Sequence, residues 1–183
     1  MADAIATRKP TLSGFLGGSA AARLTPAPPS TRLSLRAKPD AVAALSSAFG
    51  LDLPTRPKTS ASANGRHALW LGPDEWLLID ETEADLLAVA ASAGVLHSAT
   101  DVSHRNMAVL VEGPRVEATL QGACPLDLSL NVFPVGGAAR TVYGKAEIVL
   151  YRTREDAFRV ECWRSFAPYV AAMLAEGAAD AAL

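Results

Sequence analysis

Between Thr31 and Ala37 the chain reads "TRLSLRA", with apolar and polar side chains alternating as they do along a half-buried strand. "KPDAVAALSSAFG" follows, with Pro39 at the head of a helical pattern and Gly50 just past its end, so the two stretches predict a β-α unit. Residues 53–66, "LPTRPKTSASANGR", are rich in Pro, Ser and Asn and predict an exposed loop. In "HALWLGPDEWLLID" two short apolar runs flank Gly72-Pro73-Asp74-Glu75, which predicts a hairpin of Ala68–Leu71 with Trp76–Ile79. Both runs are apolar at successive positions rather than alternating, the mark of strands covered on both faces.

"ETEADLLAVAASAG" predicts a helix capped by Thr82, with Asp85 three residues on, and closed by Gly94. After His97 and the motif "DVSHRN", "NMAVLVEG" predicts a strand and Pro114 opens the helix "PRVEATLQG". Residues 123–139 carry Pro and Gly punctuation and predict mostly loop. "RTVYGKAEIVLYR" and "AFRVECW" read as two strands joined by "TREDA", and "SFAPYVAAMLAEGAADAAL" as a last helix capped by Ser165. Hairpins mixed with single helices give an α+β class, in ferredoxin-like layers, with helices packed on a mostly antiparallel sheet.

Residues 1–30 break this pattern. They are small, polar and Pro-rich, ending in "TPAPPS", a composition expected to stay a flexible arm, with residues 31–183 as a single α+β domain. Arg8 and Lys9 precede "TLSGFLGGSAAA", but Ser and Gly dilute what would be the apolar core of a targeting segment.

Charge narrows the partners. Seventeen basic against nineteen acidic residues leave −2, so nothing draws the chain to nucleic acid, and no apolar run approaches a membrane span. Cys124 and Cys162 are far apart and lack C-x-x-C spacing, which argues for free thiols and a cytoplasmic protein rather than a disulfide or zinc site.

"DVSHRN" holds an acid, a hydroxyl and an imidazole. In a strand, Asp101 and Ser103 share a face and His104 points to the other; in a helix, Ser103 turns away from both. Neither arrangement lets one imidazole bond both partners, and Ser103 lacks the G-x-S-x-G turn of an exposed nucleophile. The motif therefore predicts a structural role, Asp101 and Ser103 bonding local backbone at a strand entrance. His67, His97 and His104 have no ligand spacing, and Gly136-Gly137 lacks the pattern of a phosphate cradle. Catalytic and metal-ligating residues are thus expected to be absent. Trp70, Trp76 and Trp163 fall in strands, suited to packing, an interface or a flat ligand. Arg140, Lys145, Arg152 and Arg164 sit at or near strand ends, placed to meet an anionic ligand, a partner subunit or solvent.

The run "DVSHRNMAVLVEGPRVEATLQ" resembles the glycine-cleavage aminomethyltransferase family, in which D-x-S-H leads a strand, and "GKAEIVLYRTREDAFRVECW" resembles its paired strands. "LGPDEWLL", "CPLDL", "FPVGGAARTVYGKAEIVLYR" and "WRSFAPYV", in this order from about residue 69 to 170, resemble more closely the gamma subunit family of heterotetrameric sarcosine oxidase, which shares that fold. Where the enzymes carry an Asp pair ahead of the V-Y-R strand, this chain has Ala146 and Glu147.

The gamma-subunit resemblance implies an accessory, structural chain without its own cofactor. Its partners would be larger flavin-bearing alpha and beta subunits and a small delta subunit, with FAD, FMN, NAD and tetrahydrofolate in those partners. It further implies a complex that converts sarcosine to glycine, with tetrahydrofolate taking the one-carbon unit and oxygen giving hydrogen peroxide. The alternative it leaves open is a stand-alone folate-binding or aminomethyltransferase-like protein. A vestigial folate pocket would then use Glu147 as the carboxylate and Trp76 or Trp163 to stack on the pterin. A generic interaction domain is the third reading.

Overall fold

The computed structural model of the protein describes residues 11–183. In chain order the elements are β1 (Gly17–Gly18), β2 (Arg23–Pro26), β3 (Thr31–Ala37), a 3-10 turn (Pro39–Ala41), α1 (Val42–Phe49), β4 (Ser60–Ala63), β5 (Arg66–Gly72), β6 (Glu75–Asp80) and α2 (Leu86–Ser92). They continue with β7 (His97–Asp101), β8 (Asn106–Glu112), α3 (Val116–Gln121), β9 (Ala138–Tyr143), β10 (Ala146–Arg154), β11 (Ala157–Trp163) and α4 (Ala167–Asp180).

The α+β class stands, but the sheet expected as one is two. One sheet runs β1-β2-β8-β11-β10-β9 and the other β4-β5-β6-β3-β7, with every pair antiparallel. Strand alternation builds four layers from them. In β6, Trp76 and Leu78 join the core under α1 and α2, while Leu77 and Ile79 join the core between the sheets. In β10, Ile148 and Leu150 face α3 and α4, while Val149 and Tyr151 face the other sheet. The order is helices, sheet, sheet, helices, and each apolar run marks a strand covered on both sides.

Several expectations are corrected. The first ten residues of the expected flexible arm lie outside the described residues, but the described part is structured. β2 pairs with β8 from Arg23↔Glu112 to Pro26↔Val109, and Leu24 is buried. A four-residue strand followed by prolines is too short to show a period. Its turn packs so tightly on the β8 exit that a Cβ at Gly113 would lie 2.4 Å from the Ala21 carbonyl oxygen.

The expected loop at 53–66 contains β4, joined to β5 through Asn64-Gly65, both with positive φ of 51° and 76°, as a two-residue hairpin turn requires. β7, the last strand of its sheet, pairs with β3. The stretch read as one strand from Arg140 to Arg152 folds back at Gly144-Lys145 into β9 and β10. Thr82 bonds Asp80 instead of capping α2, whose cap is Asp85 accepting from Ala88 N at 3.0 Å. Phe166 occupies the cap position of α4 in place of Ser165.

Candidate functional site

The motif "DVSHRN" begins as the end of β7 and becomes the turn into β8. Asp101 Oδ1 accepts from Ser103 N at 2.7 Å, and Ser103 Oγ accepts from Arg32 N at 2.8 Å. Val102 N donates to Arg32 O at 2.9 Å, while the Val102 side chain enters the core between the sheets. His104 is exposed at the tip. The motif thus fastens β3 to the crossover between the two sheets. Asp101, Ser103 and Arg164 share a cleft of about 460 Å³ walled by the segment from Pro26 to Arg32.

Behind that turn lies a charged cluster. Glu161 of β11 accepts from Arg32 Nε of β3 at 2.7 Å and from Arg159 Nε at 2.8 Å, and all three residues are buried. Arg159 Nη1 also reaches Glu81 at 3.1 Å. Burial would raise the Glu161 pKa, but the two guanidiniums and their hydrogen bonds outweigh it and hold the carboxyl below its usual range. Cys162, on the opposite face of β11, is pushed up to about 12 by burial and by the Glu161 charge, so it is an inert thiol.

This cluster was missed in the sequence although its signal was present. In "AFRVECW" the alternation places Arg159 and Glu161 on one face, which reads as solvent when a second sheet is not anticipated.

At the far end of the same face, register lines up one row across four strands. Val142 stands opposite Glu147 and Trp163 opposite Asn106, while the Ile148↔Cys162 pairing makes Glu147 and Trp163 neighbours. Glu147, Trp163, Arg105 and Arg140 line a cleft of about 110 Å³ between the sheets, closed on the other side by Glu75. Arg140 pairs with Glu75 across it, and the Arg105 guanidinium lies 4.0 Å from the Trp163 ring centroid.

The structure therefore brings Glu147 and Trp163 together but separates Trp76 from them. Trp76 borders the cleft, yet its ring belongs to the core under α1 and α2 and its Nε1 donates to Pro54 O at 2.7 Å. A cleft of about 110 Å³ with a salt bridge across it falls below the roughly 300–1,000 Å³ of small-molecule pockets. The residues present do not fit a pterin.

The strand-end cations divide as well. Arg140 and Lys145 are exposed, and Lys145 N donates to the Tyr169 hydroxyl at 3.2 Å. Arg152 is corrected as an interface residue, because its side chain is fully buried under the loop after α3. Its Nη1 donates to Leu128 O at 2.9 Å and Phe133 O at 2.8 Å, and its Nη2 to Glu155 O at 2.9 Å and to Glu117. Side chains at even positions of β10 face the helices, so a residue read as a strand end is an internal strut.

A family model described as "Sarcosine oxidase, gamma subunit family" matches residues 34–180. The sarcosine oxidase subunit gamma of Corynebacterium sp. (strain U-96) is 34% identical over 138 residues, covering 71% of this chain and 66% of that protein. The subunit gamma of Arthrobacter sp is 33% identical over 135 residues with the same coverage, so the match spans 66% of the length of these relatives.

Among solved structures, the heterotetrameric sarcosine oxidase from Corynebacterium sp. U-96 in complex with pyrrole 2-carboxylate contains a chain that superposes with a TM-score of 0.87. The identity is 28%, and the match covers 96% of this chain and 97% of that one. The glycine cleavage system aminomethyltransferase T from Bartonella henselae shares the fold, with a TM-score of 0.64 at 18% identity, over 85% of this chain and 45% of that one. This chain belongs to the sarcosine oxidase gamma subunit family.

Proposed function

We propose that this chain is the accessory subunit of a cytoplasmic heterotetrameric sarcosine oxidase, contributing structure and assembly while the reacting groups sit elsewhere in the complex. Larger alpha and beta subunits hold FAD, FMN, NAD and tetrahydrofolate, and a small delta subunit completes the assembly. The complex oxidises sarcosine, passes its methyl carbon to tetrahydrofolate, releases glycine and reduces oxygen to hydrogen peroxide. The whole-chain correspondence with one chain of the solved heterotetramer carries this reading.

The architecture supports it. The inner face of each sheet is spent on packing against the other sheet and on the Arg32–Glu161–Arg159 cluster. Both cysteines are buried and unpaired, in keeping with a reducing compartment. Among the described residues no helix is long and apolar enough to cross a membrane.

A second reading, stand-alone folate binding, has Glu147 and Trp163 side by side in its favour and would need the cleft between them to open. Titrating the purified chain with tetrahydrofolate while following tryptophan fluorescence separates the two. The accessory reading predicts no saturable change and no turnover of sarcosine. Micromolar binding that disappears in Glu147→Gln would establish the alternative.

A further inference from the structure

Among the exposed large apolar side chains, which also include Leu16, Leu96, Leu130 and Val135, three aromatic ones lie together at one corner of the molecule. Trp163 is 38% exposed, Phe166 42%, Tyr169 37% and Val142 43%. The three rings form one surface. The Trp163 and Phe166 ring centroids are 6.0 Å apart, Phe166 and Tyr169 are one turn apart at the head of α4, and Tyr169 meets the β9–β10 turn through Lys145 N. Val142 lies in the same cross-strand row as Trp163, through Glu147.

The rim of this corner is cationic. Arg105 lies over the Trp163 ring, its carbonyl oxygen accepting from Arg164 N at 2.7 Å, and Lys145 is exposed at the other edge. Glu147 is the carboxylate among them, and the chain as a whole is −2, so the positive corner runs against the overall charge. Aromatic anchors with Arg beside them and a charged rim are the composition of a protein-docking centre, where a few large rings carry most of the energy.

We propose that this corner, centred on Trp163 with Phe166 and Tyr169, is where a larger subunit of the oxidase docks, and that the docked surface is apolar at its centre and acidic at its rim. The inference rests on the accessory-subunit reading. Trp163 and Phe166 supply the desolvated area, and Arg105 and Lys145 supply steering and register.

The experiment co-expresses the full chain with its larger subunits and measures association by interferometry at several salt concentrations, checking each variant's fold by circular dichroism. Trp163→Ala is expected to weaken association about 30-fold, mainly through faster dissociation. The double variant Arg105→Glu with Lys145→Glu changes only exposed side chains and keeps the test valid should Trp163→Ala misfold. It is expected to slow association about 10-fold and to flatten its salt dependence. Leu96→Ala, at a residue 82% exposed elsewhere, serves as the control and is expected to bind as the parent does.

Folded variants that bind within twofold of the parent overturn the docking site and leave the accessory reading intact. Failure of the parent chain itself to join the larger subunits overturns both. A self-association of the isolated chain that Trp163→Ala abolishes assigns the corner to a second copy and overturns the proposed partner.

Discussion

Glu161 of β11 accepts a hydrogen bond from Arg32 of β3 at 2.7 Å, and this ion pair crosses from one sheet to the other with both side chains buried. Arg159 bonds the second oxygen of the same carboxylate and also reaches Glu81. Replacing Glu161 with Gln leaves the buried Arg32 without a counter-charge and Arg159 held by the half-exposed Glu81. The expected loss is about 3–5 kcal/mol of folding stability, read by urea denaturation. An unchanged midpoint would mean that water reaches the cluster.

The pH dependence of stability follows from the same groups. Burial would raise the Asp80 carboxyl, but Thr82, Arg66 and backbone N–H groups hold it below its usual 3.8, as Arg32 and Arg159 hold Glu161 below 4.5. Groups with depressed folded pKa values stabilise above their unfolded values and lose that contribution as pH falls through the folded ones. Stability is therefore expected to drop steeply below about pH 4.5. His67 behaves differently: burial, opposed by Glu81, holds its pKa below 6.5, so the unfolded chain takes up the proton first. A shallow decline starting near pH 6.5 is expected, and His67→Gln should remove that decline while leaving the acid limb in place.

Arg152 gives a separate test. Arg152→Met strands the Leu128, Phe133 and Glu155 carbonyl oxygens that its guanidinium bonds. At roughly 1–3 kcal/mol for each buried group left unpaired, the loss should exceed 3 kcal/mol, with new proteolytic cleavage in the loop after α3. Arg152→Lys should recover only part of it, because a point charge cannot reach acceptors on two sides.

Ser103→Ala removes the side-chain bond to Arg32 N and is expected to cost about 1 kcal/mol in thermal or urea unfolding. A catalytic serine would instead abolish activity of the assembled complex. We expect the assembled Ser103→Ala complex to retain its turnover.

The sequence carried the strands with two covered faces, the β3-α1 unit, the hairpin of β5 and β6 and the structural character of "DVSHRN". The first three rest on side chains within one element or hairpin, whereas Ser103 reaches Arg32 of β3, beyond the local backbone expected for it. What the sequence hid depends on the second sheet. Arg159 and Glu161 alternate with Phe158, Val160 and Cys162 as a solvent face would, and only packing against β3 and β6 turns that face inward. Arg152 was misjudged because strand register decides which layer a side chain enters, whereas Trp76 takes the packing role that was one of those read for it. β1 and β2 gave no period because their few residues gain stability from β8 rather than from their own pattern.

The role proposed for this chain is that of an assembly component. Native mass spectrometry of the chain co-expressed with the larger and small subunits, paired with a sarcosine oxidation assay of every fraction, tests it most directly. One copy of this chain in a heterotetramer that carries all the activity, with none in the isolated chain, is the predicted result. An isolated chain that oxidises or demethylates sarcosine unaided, or an active complex from which it is absent, would rule that role out.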